Sequence, residues 1–287
     1  MFARAVTLAL LAVLAIGPIG AAQPVAGAPP LTSAPASAIS PPGAGSPPSA
    51  DTTAPPAVPR IAEGPDYDHC LAMLYNDPLG AKSFADTWAS SGGGDGAMHC
   101  QALAQIELGN TATGADMLER LADAAKVPDL TRAAVYGEAV QAWQMAGQPA
   151  RAFDAATLAL ALSPNDPDLM IDRALAEGAM QRYHEAIDDL NHALDIDPRR
   201  AEAFVLRASA WRHLNNLEVA TSDIEHALAI NPDSAEALLE RGILRQRTGN
   251  QAGAREDWQR AINLDPDSTA ADLAQQDLAL LDAGPDQ

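Results

Sequence analysis

Cys70 and Cys100 are the only thiols in the 287-residue chain, and each follows a histidine, His69 and His99. Two thiolates and two imidazoles form a donor set that a tetrahedral zinc ion accepts. Adjacent residues on a helix point about 100° apart, however, so a His–Cys dipeptide chelates one ion poorly. A disulfide between Cys70 and Cys100 is therefore the expectation, with a metal site and free thiols as the alternatives. Closing the loop would remove roughly 3–4 kcal/mol of chain entropy from the unfolded state. It would staple a helix at about 66–76 onto one at about 96–108, across a segment holding Phe84, Trp88 and the breaker Gly92-Gly93-Gly94.

Other chemistry is hard to find. There is no C-x-x-C redox pair, no nucleophile elbow G-x-S-x-G, no phosphate loop, no dinucleotide glycine fingerprint and no H-E-x-x-H. Gly92 to Gly94 lack the preceding strand and following lysine that phosphate binding needs. His184, His192, His213 and His226 sit at scattered helical positions and read as solvated or hydrogen-bonded side chains. No catalytic residue, metal or cofactor is expected. A metal-dependent envelope enzyme is the last alternative.

Charge narrows the partners. Eighteen basic residues face 38 acidic ones, a net charge of -20. Nucleic acid affinity comes mainly from Lys and Arg neutralising phosphate, and anionic membrane faces recruit polybasic segments. Neither partner is expected. Apolar residues make up 47% but aromatic residues only 4%, so the core must be built from Ala, Leu, Val and Ile.

The chain begins with Arg4, an apolar run from Ala5 to Ile16, Pro18 and the small residues Gly20-Ala21-Ala22, which read together as a cleaved signal peptide over 1–22. The run is shorter than the roughly 20 apolar residues of a membrane span, which argues against an uncleaved anchor. Export to a periplasm, with no membrane insertion after cleavage, is the expectation. Residues 23–60 are dominated by Pro, Ala, Ser, Gly and Thr and read as a disordered linker. Their only charges are Asp51 and Arg60, so the acidity belongs to the remainder.

That remainder is periodic. Pro164, Pro198, Pro232 and Pro266 are spaced 34 apart. Twelve residues before each lies Ala152, Ala186, Ala220 or Ala254, and five before each lies Ala159, Ala193, Ala227 or Ala261. Ala156, Leu190, Ile224 and Trp258 stand between, and the i, i+4, i+7 spacing is one face of a helix. A second helix in each unit carries Tyr136, Met170, Phe204 and Leu238, then the small column Val140, Ala174, Ala208 and Gly242. Small residues there let two helices approach closely. Each unit is a helical hairpin closed by its proline. Arg173, Arg207 and Arg241 form one further column, and Asp189, Asp223 and Asp257 another, each Asp 16 residues beyond its Arg. A ladder of Arg–Asp pairs between the two helices follows, with unpaired surface charge as the alternative.

These columns resemble the tetratricopeptide repeat, most closely over 133–266. Met98, Ala102, Gly109, Gly114, Leu118 and Leu121 extend the likeness upstream in a degenerate form. Glu177 and Arg245 depart from it, standing where the family usually has an aromatic residue. The resemblance implies an all-α right-handed solenoid of tandem helical hairpins with a C-terminal capping helix. The units are an N-terminal helical region at 61–94, a degenerate repeat at 95–132, and repeats at 133–166, 167–200, 201–234 and 235–268. A capping helix and tail at 269–287 follow.

The resemblance also implies a concave groove lined by the first helix of each hairpin. That places Gln141, Gln144 and Met145 beside Ile171 and Leu175, then Val205, Ser209, Arg212 and His213, then Leu239, Ile243 and Gln246. The Lys and Asn pattern with which some family members clamp a C-terminal carboxylate is missing. The expected function is non-catalytic binding of another protein or peptide, as a scaffold in a bacterial cell envelope. An accessory chaperone for envelope proteins is the alternative.

Overall fold

The computed structural model describes residues 59–283. The expected signal peptide and the linker as far as residue 58 lie outside the described residues. Thirteen helices and no strand occur among the described residues. The first two are α1 (Pro65–Met73) and α2 (Pro78–Ser90). Five hairpins follow: α3 (Gly94–Glu107) with α4 (Thr111–Ala124), α5 (Asp129–Met145) with α6 (Pro149–Leu162), α7 (Pro167–Ala179) with α8 (Tyr183–Ile196), α9 (Ala201–His213) with α10 (Leu217–Ile230), and α11 (Ala235–Arg247) with α12 (Gln251–Leu264). A last helix, α13 (Thr269–Ala283), closes the stack.

Local chemistry sets the boundaries. Ser163, Asp197, Asn231 and Asp265 end the second helices with φ of -132, -132, -130 and -146°. Each precedes one of the periodic prolines, whose Cδ excludes the α conformation from the residue before it. Inside all five hairpins the turn passes through the left-handed region, at Gly109, Gly147, Gln181, Asn215 and Gly249, with φ of 83, 65, 62, 59 and 87°. The last four positions are 34 apart, yet only two of them are glycine. Several starts are capped: Asp166 accepts from the amides of Asp168 and Leu169, Ser234 from Ala237, and Asn250 from Gly253.

The alanine columns are the seams of the stack. Ala152, Ala220, Ala254 and all four of Ala159, Ala193, Ala227 and Ala261 are fully buried, with Ala186 nearly so. Ala156, Leu190, Ile224 and Trp258 are buried between them. Gly242 shows why the other column is small: a Cβ there would overlap Nε1 of the Trp258 indole. Across each of the last three hairpins an arginine grips an aspartate through two hydrogen bonds. The pairs are Arg173–Asp189 (2.6 and 2.7 Å), Arg207–Asp223 (2.9 and 2.7 Å) and Arg241–Asp257 (2.9 and 2.6 Å). The aspartates are buried and the arginines partly exposed. The ladder exists, but its acidic side is inside the protein rather than on the surface.

At the N-terminal end Cys70 of α1 and Cys100 of α3 form a disulfide with a Cα separation of 6.3 Å, both residues fully buried. The thiols are thus not available to a metal. Helix α2 fills the space between, with Ala81 and Ala85 buried and Phe84, Trp88 and Tyr67 in contact along one side. At the other end α13 buries Ala270, Ala271 and Ala274, and Ser268 caps it by accepting from the amide of Ala271 at 3.1 Å.

Successive first helices touch one another from α5 through α7, α9 and α11 to α13, whereas successive second helices do not pack together to a comparable degree. First helices therefore line the inner side of the curve. The apolar core runs unbroken from Ile61 to Leu206, and beyond that it divides into two smaller patches. No helix of the described residues is long and apolar enough to cross a membrane.

Candidate functional site: the inner wall of the first helices

Helices α5, α7, α9 and α11 form the wall on which the twelve expected groove residues lie. Gln144, Ile171, Leu175, Val205, Ser209, Arg212 and Leu239 are buried. Met145 is 42% exposed, and Gln141, His213, Ile243 and Gln246 are partly exposed. The seven buried side chains join neighbouring helices, so they hold the wall together and are not themselves offered to a partner. The cause is the direct contact between first helices, which covers positions that the resemblance assigns to an open groove.

Arg212 is the clearest case. Its guanidinium forms a buried ion pair with Glu240 of α11, with a second bond from Nη2 to Glu240 Oε2 at 3.3 Å and a third to Ser209 Oγ at 3.1 Å. Arg247 Nη1 donates to the Arg212 carbonyl at 3.1 Å. Burial and the neighbouring Arg212 lower the Arg247 pKa. Asp277 of α13 faces the same cluster. Burial pushes its carboxyl up to about 6, with Arg212 opposing the rise and Glu240 adding to it. His213 stacks on Tyr183 with ring centres 4.6 Å apart.

The wall between α5 and α9 is different in character. Gln144 Nε2 donates to the backbone carbonyl of Asp172 at 3.0 Å, and its Oε1 is buried with no hydrogen-bond partner. Asp172 has its carboxyl pushed up to about 8, chiefly by burial and then by Glu202 and Asp168, with the Gln144 amide opposing the rise. Asp168 is paired to Arg200, which also binds Asp197 at 2.9 Å. None of Asp172, Glu240, Arg247 and Asp277 stood among the expected residues. A signal for two of them exists: Glu138, Asp172, Leu206 and Glu240 are 34 apart, and three of the four are acidic.

Two other polar features are structural in geometry. Tyr67 of α1 shares a hydrogen bond with His99 Nδ1 at 2.7 Å, and His99 Nε2 meets Glu138 of α5. Tyr67 is only 2% exposed and burial raises its pKa, so this relay does not present a nucleophile to a substrate. In the aromatic column, Arg245 turns to Asp257 at 2.8 Å and to the Gly253 carbonyl at 3.2 Å. Glu177 stays buried with Oε2 unpartnered. Burial and then Asp189 push its carboxyl up to about 7, against the pull of Arg173. Among the described residues no group of three or more His, Cys, Asp or Glu side chains could hold a metal ion.

The repeat geometry has known counterparts. A family model described as "Tetratricopeptide repeat" matches residues 142–210 and 206–279, a little under half of the chain. Over those residues the chain is similar to tetratricopeptide repeats. A thermophilic tetratricopeptide-repeat protein from Thermus thermophilus superposes with a TM-score of 0.53 at 17% identity, over 65% of this chain and 98% of that one. The Cut9–Hcn1 hetero-tetramer of APC/C superposes with a TM-score of 0.57 at 15% identity, over 74% of this chain and 42% of that one. At these identities the likeness is one of fold. No curated protein matches the sequence. Tetratricopeptide repeats generally mediate contacts between proteins.

Proposed function

We propose that this protein is a non-catalytic adaptor of a bacterial cell envelope that holds a peptide segment of another protein along the inner wall of its repeats. The observation that carries the reading is the wall itself. First helices meet side by side over α5 to α13, with Gln141, Met145, His213, Ile243 and Gln246 accessible along it. An extended or helical segment with apolar side chains suits such a surface. Residues 1–22 support export through their basic start, apolar run and small-residue ending. The Cys70–Cys100 disulfide fits an oxidising compartment. The division into signal peptide, linker, N-terminal helical region, five repeats and cap belongs to the same proposal.

The test is crosslinking inside the envelope, with mass spectrometry of the trapped peptides. Arg212 is a poor position to alter because its loss would leave Glu240 buried and unpaired. Met145→Glu and Gln246→Glu change accessible wall positions instead. Capture of one stoichiometric partner that weakens with these substitutions supports the adaptor. Suppressed aggregation of several unrelated clients would replace it with a chaperone, and unchanged capture would move the contact off the inner wall.

A further inference from the structure

Four residues after each ladder arginine, on the same face of its helix, stands Glu177, Trp211 or Arg245. The three rungs share one geometry, so this column decides what each rung carries besides its pair. Beside Arg241–Asp257 it adds a second cation, and Arg245 joins Asp257 at 2.8 Å. Beside Arg207–Asp223 it adds the neutral Trp211, packed against an apolar patch of the core. Beside Arg173–Asp189 it adds a second carboxyl. Arg173 commits Nε and Nη2 to Asp189, at 2.6 and 2.7 Å, while Glu177 is 6% exposed with Oε2 unpartnered. Nothing nearby replaces the missing partner. Helix α8 brings the carboxyls of Asp189 and Glu185, and Arg182, in the turn before α8, lies over the Phe153 ring of α6 at 5.4 Å. Toward α9, the turn of α7 that holds Glu177 borders a cavity lined by Ala174, Gly178, Tyr183, Leu206 and Ala210. A buried carboxyl in such a place is tolerable when protonated and costly when ionised.

We infer that Glu177 is a proton-operated joint in the middle of the array: protonated, it lets the α7–α8 hairpin stay closed, and ionised, it drives that hairpin to open locally while the other repeats remain folded. Opening gives the carboxylate the water it lacks inside. The cavity toward α9 lowers the resistance, because side chains facing a void forgo contacts there. In an array of repeats each unit is held by its nearest neighbours, so one hairpin can open without the rest. The neighbouring rungs lack the trigger, since Trp211 has no ionisable group and Arg245 is a cation paired with Asp257. The inference concerns α7–α8 itself and stands whether or not a peptide lies on the wall.

The test is hydrogen exchange of the full chain, resolved by helix with mass spectrometry, in parallel with Glu177→Gln over about pH 5 to 8. Comparing the two proteins at each pH cancels the intrinsic pH dependence of exchange. The Glu177 carboxyl titrates near 7 when buried and near 4.5 when released, so the opened fraction rises with pH across that interval and levels off above it. In α7 and α8 the ratio of wild-type to variant exchange rates should rise at least about tenfold over the series. In α3, α4, α11 and α12 it should stay near one. Glu177→Trp, which copies the residue of the next repeat, is a second reference and should show the same rise of the wild type against it. A ratio in α7 and α8 that does not change with pH would overturn the joint. An equal rise in every helix would overturn it as well, because the array would then be opening as a whole.

Discussion

Arg207 holds Asp223 by two parallel hydrogen bonds across the α9–α10 hairpin, and a third, from Nη1 to Asn191 at 2.7 Å, reaches back to the preceding hairpin. One guanidinium therefore closes its own unit and joins it to the one before.

The pair is worth more than an exposed one because Asp223 is buried. Asp223→Ala should lower stability by about 2–3 kcal/mol, as expected for a charged hydrogen bond lost from a buried site. Denaturant titration of Arg207→Ala, Asp223→Ala and the double variant would measure the coupling. A coupling energy near zero would mean the two side chains act independently.

Gly242 packs against the face of Trp258, so Gly242→Ala should destabilise the last repeat despite the better helix propensity of alanine. Overpacking of this kind lowers stability by about 1–3 kcal/mol. Trp258 fluorescence, read through thermal unfolding with Trp88, Trp143 and Trp211 replaced by Phe, follows that repeat, and an unchanged or higher midpoint would show that the indole moves aside freely.

Glu177 predicts a pH dependence. Its carboxyl ordinarily titrates near 4.5 and in the folded chain near 7, so the folded state binds the proton more tightly than the unfolded one. Stability linked to this group falls as pH rises from 4.5 to 7. Glu177→Gln should match the wild type below pH 4.5, gain on it through that window and hold a constant advantage above it. Chemical denaturation at a series of pH values checks the sign. A gap that narrows as pH rises would contradict it.

Removing the disulfide should act locally. Cys70→Ser with Cys100→Ser should cost about 3–4 kcal/mol at the N-terminal end. Hydrogen exchange should quicken in α1 and α2 while α9 to α12 keep their protection, because repeat stability is carried by nearest neighbours. Uniform loss of protection would mean the array unfolds as one unit.

Much of the architecture is legible in the residues alone. The prolines at 164, 198, 232 and 266 mark the ends of second helices because the residue before proline is barred from the helix. The alanine columns mark the seams, and the 16-residue offset of Arg from Asp anticipates the ladder. The Cys70–Cys100 bond is the expectation because adjacent His and Cys on a helix point apart and chelate one ion poorly. The inner wall is harder to read. The resemblance names the helix that faces the groove but not the closeness of the next helix, so Leu175, Val205 and Ser209 are expected open and are covered in the fold. Arg212 reads as an accessible cation because Glu240, its partner, lies 28 residues away on another first helix. The left-handed turns at Gln181 and Asn215 are hidden because neither residue is the glycine that usually announces them.

The Cys70–Cys100 bridge gives the molecule a direction. One terminus of the array is covalently closed, while the opposite one, where the apolar core is divided and α13 buries three alanines, is held by packing and an Arg255–Asp282 ion pair. Heat or force should peel the helices away from the α13 side first, and the stretch from α5 to α9 would still be standing when α11 to α13 have let go. A guest seated on that stretch would outlast the loss of the tail, and one spanning the whole wall would be released from its far end inward.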